Sequence, residues 1–204
     1  MTLVSHISEF ELIKKLEMAF LNSRNNVIRD KDILLGIGDD AAIIDPGKSP
    51  QVITTDTMVE GVHFTRKTIS WHDLGWKSLA SNISDVASMG GLPAYALITL
   101  GLPSYTEIAD LESLYAGMLE ISNEYSMAIV GGDMVRSPVA FITVALTGVM
   151  QAQPMVRTGA LPGDLVAVTG YLGNSGGGLK LMLEQSYETV SYTHLRAHET
   201  RHDL

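Results

Sequence analysis

The chain has 204 residues, of which 46% are hydrophobic and 18% charged, a composition typical of a globular protein with a real core. Its net charge of −9, with no basic stripe, argues against binding to nucleic acid or to an anionic membrane surface. The absence of cysteine excludes disulfides, zinc-thiolate sites and cysteine nucleophiles. Since there is also neither a long apolar run nor a signal-peptide pattern, we expect a cytoplasmic protein.

The first predicted element is a helix from about residue 9 to about residue 21, because Ser8 and Glu11 form an S-x-x-E capping box before an apolar run with helical spacing. Farther along, short apolar segments between turns predict strands, and apolar residues three and four apart predict helices. The predicted strands are 34–37, 41–44, 52–55, 95–100, 128–130, 141–149 and 164–169. The predicted helices are 73–89, 108–125 and one that follows the glycine-rich segment 173–178 and ends near residue 185. This mixed order favours an α+β fold over a doubly wound parallel sheet.

A domain boundary is predicted near residues 151–162, where Gly and Pro follow a long strand. Residues 1–150 would form the first domain, and residues 151–189 a linker and the incomplete start of a second domain. Residues 190–204 hold three of the six histidines and have no apolar periodicity, which is typical of a non-native tail. Because the second domain would lack partners for its apolar faces, we expect residues after 164 to be poorly packed.

Aspartate recurs in four short polar segments, GDD at 38–40, TTD at 54–56, NISD at 82–85 and GGD at 131–133. A single Gly-Asp pair is common in turns, so each segment alone is weak. Three of the four directly follow predicted apolar strands, and we therefore expect their carboxylates to project from neighbouring strand ends. Carboxylate oxygens of this kind suit Mg²⁺, which binds a few carboxylates together with substrate phosphates.

The predicted helix over 73–89 carries a stripe of small polar residues. Ser78, Ser81, Asn82 and Asp85 lie on one side of the helix. Their short side chains would leave room for a metal–phosphate cluster. The alternative is that the stripe packs against another helix.

Two further residues are less specific candidates. His63 could contact an anionic substrate, although a lone histidine after a strand is often structural. Arg157 could bind a phosphate, although a surface arginine needs no such role. The glycine-rich segment 173–178 lacks dinucleotide-binding spacing, and the sequence has neither a Walker A motif nor a serine nucleophile elbow. No residue is assigned a covalent or acid–base catalytic role.

Five segments in order resemble the thiamine-monophosphate kinase family, within the superfamily of aminoimidazole ribonucleotide synthetase. They are GIGDDAAII at 36–44, TTDTMVEGVHF at 54–64, WKSLASNISDVASMGGLP at 76–93, IVGGDMVRS at 129–137 and RTGALPGD at 157–164. The resemblance covers about residues 8 to 185. It implies an N-terminal ATP-binding domain that forms a homodimer through its sheet, as a shared barrel, followed by the start of a second α/β domain.

The resemblance also implies a reaction, the transfer of the ATP γ-phosphoryl group to thiamine monophosphate, with Mg²⁺ ions between the two phosphate chains and no covalent intermediate. By position, the implied metal ligands are Asp40, Thr54, Thr55, Asp56, Asp85 and Asp133. The implied ATP contacts are Tyr115, Gly132, Asp133 and Arg157, and the implied substrate contact is His63.

The sequence departs from the family in its last part, where the family's Ser-Asp-Gly and Gly-Gly-Glu-Asp segments do not occur. We therefore expect a C-terminally truncated chain, whose own activity stays open. Two alternatives remain: an inactive Mg-ATP-binding dimerisation fragment, or another member of the same superfamily. Selenophosphate synthetase is disfavoured among those members, because it usually carries a reactive Cys or selenocysteine and this chain has no cysteine.

Overall fold

The computed structural model describes residues 8, 11, 14, 18, 33–35, 39–45, 47, 50–168, 170 and 172–183. The strands are β1 Ile33–Leu35, β2 Ala42–Ile44, β3 Gln51–Val59, β4 Gly91–Leu102, β5 Ala128–Arg136 and β6 Phe141–Met150. The helices are α1 Trp71–Ser88, α2 Ile108–Glu124 and α3 Asn174–Leu183, and a short 3-10 turn lies at Arg157–Gly159. Among these residues, no helix combines the length and hydropathy that a membrane crossing requires.

The six strands form one mixed sheet in the order β1-β2-β3-β6-β4-β5. All neighbouring strands are antiparallel except β4 and β5, which are parallel and connected through α2. Strand β6, the last of the six along the chain, therefore lies between β3 and β4 in the sheet. This arrangement confirms the predicted α+β fold.

Helix α1 has clear start and stop signals. The Ser70 hydroxyl caps its N-terminus by accepting the Asp73 N–H at 3.0 Å, and Asp73 adds a negative charge to the positive end of the helix dipole. After the helix, Gly90 has a φ of 78°, a left-handed conformation that glycine adopts without steric cost. Because Ser70 is the N-cap, the helix begins at Trp71, two residues before the predicted start at 73.

The core lies between one face of the sheet and the helix pair α1–α2. Alternate residues of the central strands are buried on that face, among them Val52 of β3, Ile98 of β4 and Val144 of β6. Helix α1 packs on these strands, and α2 packs against α1. The other face of the sheet keeps Tyr95 and Leu97 exposed, at 59% and 50%.

The predicted capping box at the N-terminus is present. Ser8 Oγ accepts the Glu11 N–H at 3.3 Å, and the Ser8 N–H lies 3.4 Å from Glu11 Oε2. Glu11, Lys14 and Met18 are helical, in agreement with the first predicted helix. The other residues of that helix lie outside the described residues, as does the predicted tail at 190–204.

The prediction of a strand at 164–169 is wrong for residues 164–168, the part of it that the structure describes. Residues 164–168 have no strand structure, and Leu165 and Val166 are each 97% exposed. A strand requires a partner for its backbone groups, and none of the described strands lies beside this segment. The expectation that residues after 164 are poorly packed is confirmed for this segment.

Two other predicted elements have different bounds. Strand β5 continues from Ala128 to Arg136, beyond the predicted end at 130, because it gains the whole edge of β4 as a parallel partner. Helix α3 begins at Asn174 and so includes Gly176, Gly177 and Gly178, which were expected to precede it.

The crossing of α1 and α2 predicts a strict requirement for glycine. A Cβ at Gly75 would lie 1.9 Å from the Leu114 backbone oxygen, which cannot move without shifting α2. We expect Gly75→Ala to lower the free energy of unfolding by about 1–3 kcal/mol, measured by urea denaturation. Gly176→Ala is the control, because nothing lies within 4 Å of that position in α3. Equal stability of the two variants would contradict the close crossing.

Candidate metal and nucleotide site

Two aspartates from distant parts of the chain are joined by two hydroxyl groups, each of which contacts the carboxylate of one aspartate and the backbone oxygen of the other. Thr54 Oγ1 donates to Asp85 Oδ2 at 2.9 Å and lies 3.4 Å from the backbone oxygen of Asp40. Ser88 Oγ lies 3.0 Å from Asp40 Oδ2 and 2.8 Å from the backbone oxygen of Asp85. Asp40, Thr54, Asp85 and Ser88 therefore form one oxygen-rich group, called the acidic cluster below.

Strand pairing and helix packing bring these four residues together. Strand β2 pairs with β3 so that Ala42 faces Ile53, which brings Asp40, just before β2, beside Thr54. Thr54 lies on the buried face of β3, toward α1. Asp85 and Ser88 are three residues apart near the end of α1 and therefore share one side of the helix. Of the four, Ser88 had no assigned role in the sequence analysis.

The TTD segment divides between the two faces of β3. Asp56 is half-buried and, by strand alternation, lies on the same face as Thr54, two residues farther along. Thr55 lies on the opposite face, where its Oγ1 donates to the backbone oxygen of Val144 at 2.9 Å. The structure therefore directs Asp56 toward the side of the acidic cluster and the Thr55 side chain away from it.

Asp133 lies at the far edge of the sheet from the acidic cluster. It is an exposed residue of β5, in register with Thr99 of β4, and its Oδ1 accepts the Met134 N–H at 2.9 Å. Three strand spacings separate β5 from β3, about 14 Å along the sheet. The expectation of carboxylates projecting from neighbouring strand ends is wrong here, because Asp56 and Asp133 lie within strands that are not neighbours.

The close packing of the backbone of β5 against β4 requires glycine at position 132. A Cβ at this position of β5 would lie 1.8 Å from the backbone oxygen of Ile98 on β4. The close approach of the two strands at this point explains the glycine independently of any ligand.

His63 and Tyr115 lie on other parts of the domain. His63 is exposed in the turn after β3, where its Nδ1 accepts the Val59 N–H at 3.1 Å. Tyr115 is half-buried on α2, and burial raises the pKa of its hydroxyl. The His63 contact with Val59 lies in that turn and does not involve the acidic cluster.

Arg157 reaches the acidic cluster from the linker after β6. Its guanidinium Nη2 forms an ion pair with Asp40 Oδ1, and its backbone N–H donates to Asp39 Oδ2 at 3.0 Å. Its Nε lies 3.7 Å from Asp39 Oδ1. The predicted phosphate contact of Arg157 thus lies directly beside a predicted metal ligand. The sequence analysis included Asp39 in the GDD segment at 38–40 but did not name it among the implied metal ligands or ATP contacts.

The polar stripe of α1 is mostly packed inside the protein. Ser78 and Ser81 are buried, and each hydroxyl donates to a backbone oxygen of the same helix. Asn82 is fully buried, and its Nδ2 donates to the Ser78 backbone oxygen at 3.0 Å. Only Asp85 at the end of the stripe joins the acidic cluster, whereas the other three side chains are buried and bond to the backbone of their own helix.

The acidic cluster fits a divalent cation that arrives together with phosphates. No group of three or more His, Asp or Glu side chains that could hold a metal occurs among the described residues, so the cluster is not a complete protein cage. Mg²⁺ is commonly bound by one or two carboxylates, retained waters and substrate phosphates, and Asp40 and Asp85 supply such a pair. One turn before Asp85, the buried Asn82 Oδ1 has no protein partner within the described residues, and a bound water or hydrated cation would satisfy it.

Fold and site together define a class of protein. A match to the family described as AIR synthase related protein, N-terminal domain, extends over residues 38–150, more than half of the chain. The chain belongs to this family.

More particular similarity is to thiamine-monophosphate kinases. The Bacillus subtilis (strain 168) enzyme of that name is 38% identical over 183 residues, which cover 88% of this chain and 54% of the relative. A solved structure of AaThiL complexed with AMPPCP and TMP has a TM-score of 0.81 at 32% identity, and covers 97% of this chain and 59% of that one. The thiamine monophosphate kinase of Aquifex aeolicus has a TM-score of 0.77 at 32% identity, with coverage of 96% and 62%. The chain spans about half the length of the curated relatives it matches.

The Thr54–Asp85 contact predicts a measurable contribution to stability. Thr54→Val keeps the shape of the side chain but removes a donor to a partly buried carboxylate, so we expect unfolding to become easier by about 1–2 kcal/mol. Thr54→Ser, which keeps the hydroxyl, should lose less than half of that amount. Thermal and urea unfolding at neutral pH measure both variants, and a larger loss for Thr54→Ser would refute the role of the hydrogen bond.

Proposed function

We propose that this chain carries the Mg²⁺- and ATP-binding half of a thiamine-monophosphate kinase, which transfers the γ-phosphoryl group of ATP to thiamine monophosphate and yields thiamine diphosphate. The observation that carries the proposal is the joining of Asp40 and Asp85 by Thr54 and Ser88, with Arg157 beside them. The likeness to AaThiL complexed with AMPPCP, an analogue of ATP, and TMP supports the same ligands here.

The chemistry of the reaction explains why such a cluster is needed. Two phosphate-bearing molecules must approach each other on a chain whose own net charge is −9, so neutralisation of charge and in-line positioning are the main tasks. Mg²⁺ bound at Asp40 and Asp85 would neutralise charge on the phosphates and orient them. Arg157 can exchange its ion pair with Asp40 for a phosphate oxygen, because a guanidinium binds both kinds of oxyanion.

The other site assignments stay predictions. They comprise metal contacts by Thr54, Thr55, Asp56 and Asp133, ATP contacts by Tyr115, Gly132 and Asp133, and a substrate contact by His63. Asp56 has the best support among them, since it shares a strand face with Thr54. The cytoplasmic location also stays a prediction.

Two alternatives differ in their support. The first is an inactive Mg-ATP-binding dimerisation fragment, which would carry the same acidic cluster and differ from the enzyme in forming no product. Another member of the superfamily is the weaker one, because relatives 38% and 42% identical to the chain are both named thiamine-monophosphate kinase.

Phosphorus NMR of the 204-residue chain with Mg-ATP and thiamine monophosphate tests the proposal. We expect new signals of ADP and thiamine diphosphate, and a loss of turnover of about 100-fold or more in Asp40→Asn, because that variant removes a charged metal ligand. Asp45→Asn is the control, since this nearby carboxylate accepts the Gly47 N–H and is not part of the acidic cluster. Shifted ATP signals without product would support the inactive fragment, and unshifted ATP signals would overturn both interpretations.

The uncovered face of the sheet supports a homodimer. Leu92 and Val149 are neighbours across β4 and β6, and Tyr95 and Leu97 continue the exposed apolar surface along β4. A contiguous apolar surface of this kind marks a protein contact more often than a solvated face. We propose that a second copy of the chain packs on this face.

The homodimer predicts a clear effect of charge on that face. Leu97→Glu should convert the dimer to a monomer in light scattering after size-exclusion chromatography, because the carboxylate would be buried without a partner. Leu119→Glu is the matched control, since Leu119 on α2 is likewise 50% exposed but lies away from the sheet. A dimer that persists in Leu97→Glu, or that is lost equally in both variants, would count against this interface.

A further inference from the structure

We propose that Asp39 is the positioning residue that holds Arg157 at the acidic cluster. Asp39 lies just before β2, 118 residues from Arg157 in the chain, and had no role in any of the assignments above. The proposal rests on the proposed function only where Arg157 is taken as an ATP contact. The contact between Asp39 and Arg157 is itself independent of that function.

Both oxygens of the Asp39 carboxylate are engaged. Oδ1 accepts the Asp40 N–H at 3.0 Å and lies 3.7 Å from Arg157 Nε. Oδ2 accepts the Arg157 N–H at 3.0 Å. One side chain thus contacts the backbone of a predicted metal ligand and both the backbone and the guanidinium of a predicted phosphate ligand.

Burial makes this arrangement more than a surface ion pair. The Asp39 side chain is only 6% exposed, and a buried carboxylate is stable only when it is paired and hydrogen-bonded. Arg157 supplies both the positive charge and one of the two N–H donors. Loss of the Asp39 charge should therefore affect Arg157 more strongly than any surface substitution would.

The turn that contains Arg157 lacks an internal cap. Val156 precedes the 3-10 turn Arg157–Gly159 without a capping side-chain hydrogen bond, and the first N–H groups of a helical turn have no partner within it. Asp39 supplies the missing acceptor for the Arg157 N–H. A backbone hydrogen bond also holds the residues just before this turn, because the Met155 N–H donates to the Met89 backbone oxygen at 3.2 Å.

Two adjacent carboxylates therefore orient one guanidinium. Asp39 faces Nε while Asp40 pairs with Nη2, so that the guanidinium contacts both carboxylates through different nitrogens. Asp40 can exchange Arg157 for a cation, whereas Asp39 keeps its backbone contact with the turn. Asp39 thus acts on a phosphate through Arg157 and does not itself touch it.

A double-mutant cycle on Mg-ATP affinity tests this role in the full 204-residue chain. Asp39→Asn removes the charge but retains one acceptor, and we expect it to raise the Kd for Mg-ATP about 10-fold, as for loss of a charged hydrogen bond. In an Arg157→Gln background the same change should have less than about a 2-fold effect, because Asp39 acts through that guanidinium. Asp45→Asn, with the same charge change, should leave the Kd unchanged in both backgrounds.

Amide hydrogen exchange without ligand provides the second measurement. Asp39→Ala removes every acceptor from the Arg157 N–H, whose exchange should become about 10-fold faster or more, with an intermediate rate in Asp39→Asn. Unchanged exchange at Arg157 in either variant, or an equal loss of Mg-ATP affinity in both backgrounds, would overturn the proposal. A wild-type chain that does not bind Mg-ATP would contradict the proposed function instead, and exchange at Arg157 would then decide alone whether Asp39 holds it.

Discussion

Thr54 donates a hydrogen bond from the middle of β3 to Asp85 near the end of α1, and this contact depends on the register of the strand. Because side chains alternate along a strand, a slip of one residue would turn Thr54 and Asp56 to the uncovered face and bring Thr55 toward the helix. The buried residues Val52 and Met58 oppose such a slip, since they would lose their places in the core. The packing of the core therefore also orients the side chains of the acidic cluster.

Charge balance explains the contact between the linker and the cluster. Asp39 and Asp40 place two carboxylates beside one guanidinium, and like charges at short range destabilise the folded chain. Arg157 offsets part of that repulsion by pairing with Asp39 and Asp40. A bound divalent cation would take over the same task at Asp40. The arrangement therefore links the position of the linker after β6 to the charge state of the cluster.

Local patterns predicted much of the fold, and long-range pairing accounts for the errors. The apolar spacing in α1 and α2 predicted both helices to within two residues, because that signal is contained in each segment. The grouping of Asp40 with Asp85 was also predicted. The distance of Asp133 from them was not, because the insertion of β6 between β3 and β4 leaves no local trace in the sequence. Asp39 was missed because its partner lies 118 residues away.

The uncovered face of the sheet has an apolar end and a polar end. Leu92, Tyr95, Leu97 and Val149 lie toward one end, whereas Thr57, Thr143, Thr99 and Asp133 form a row across four strands toward the other. The centre of a protein interface is depleted of charge, so a second copy would pack on the apolar end and leave Asp133 at the rim. A carboxylate at the rim keeps access to solvent and to a ligand. The dimer proposed here and a metal or nucleotide contact by Asp133 are therefore compatible, because they use different ends of the same strands.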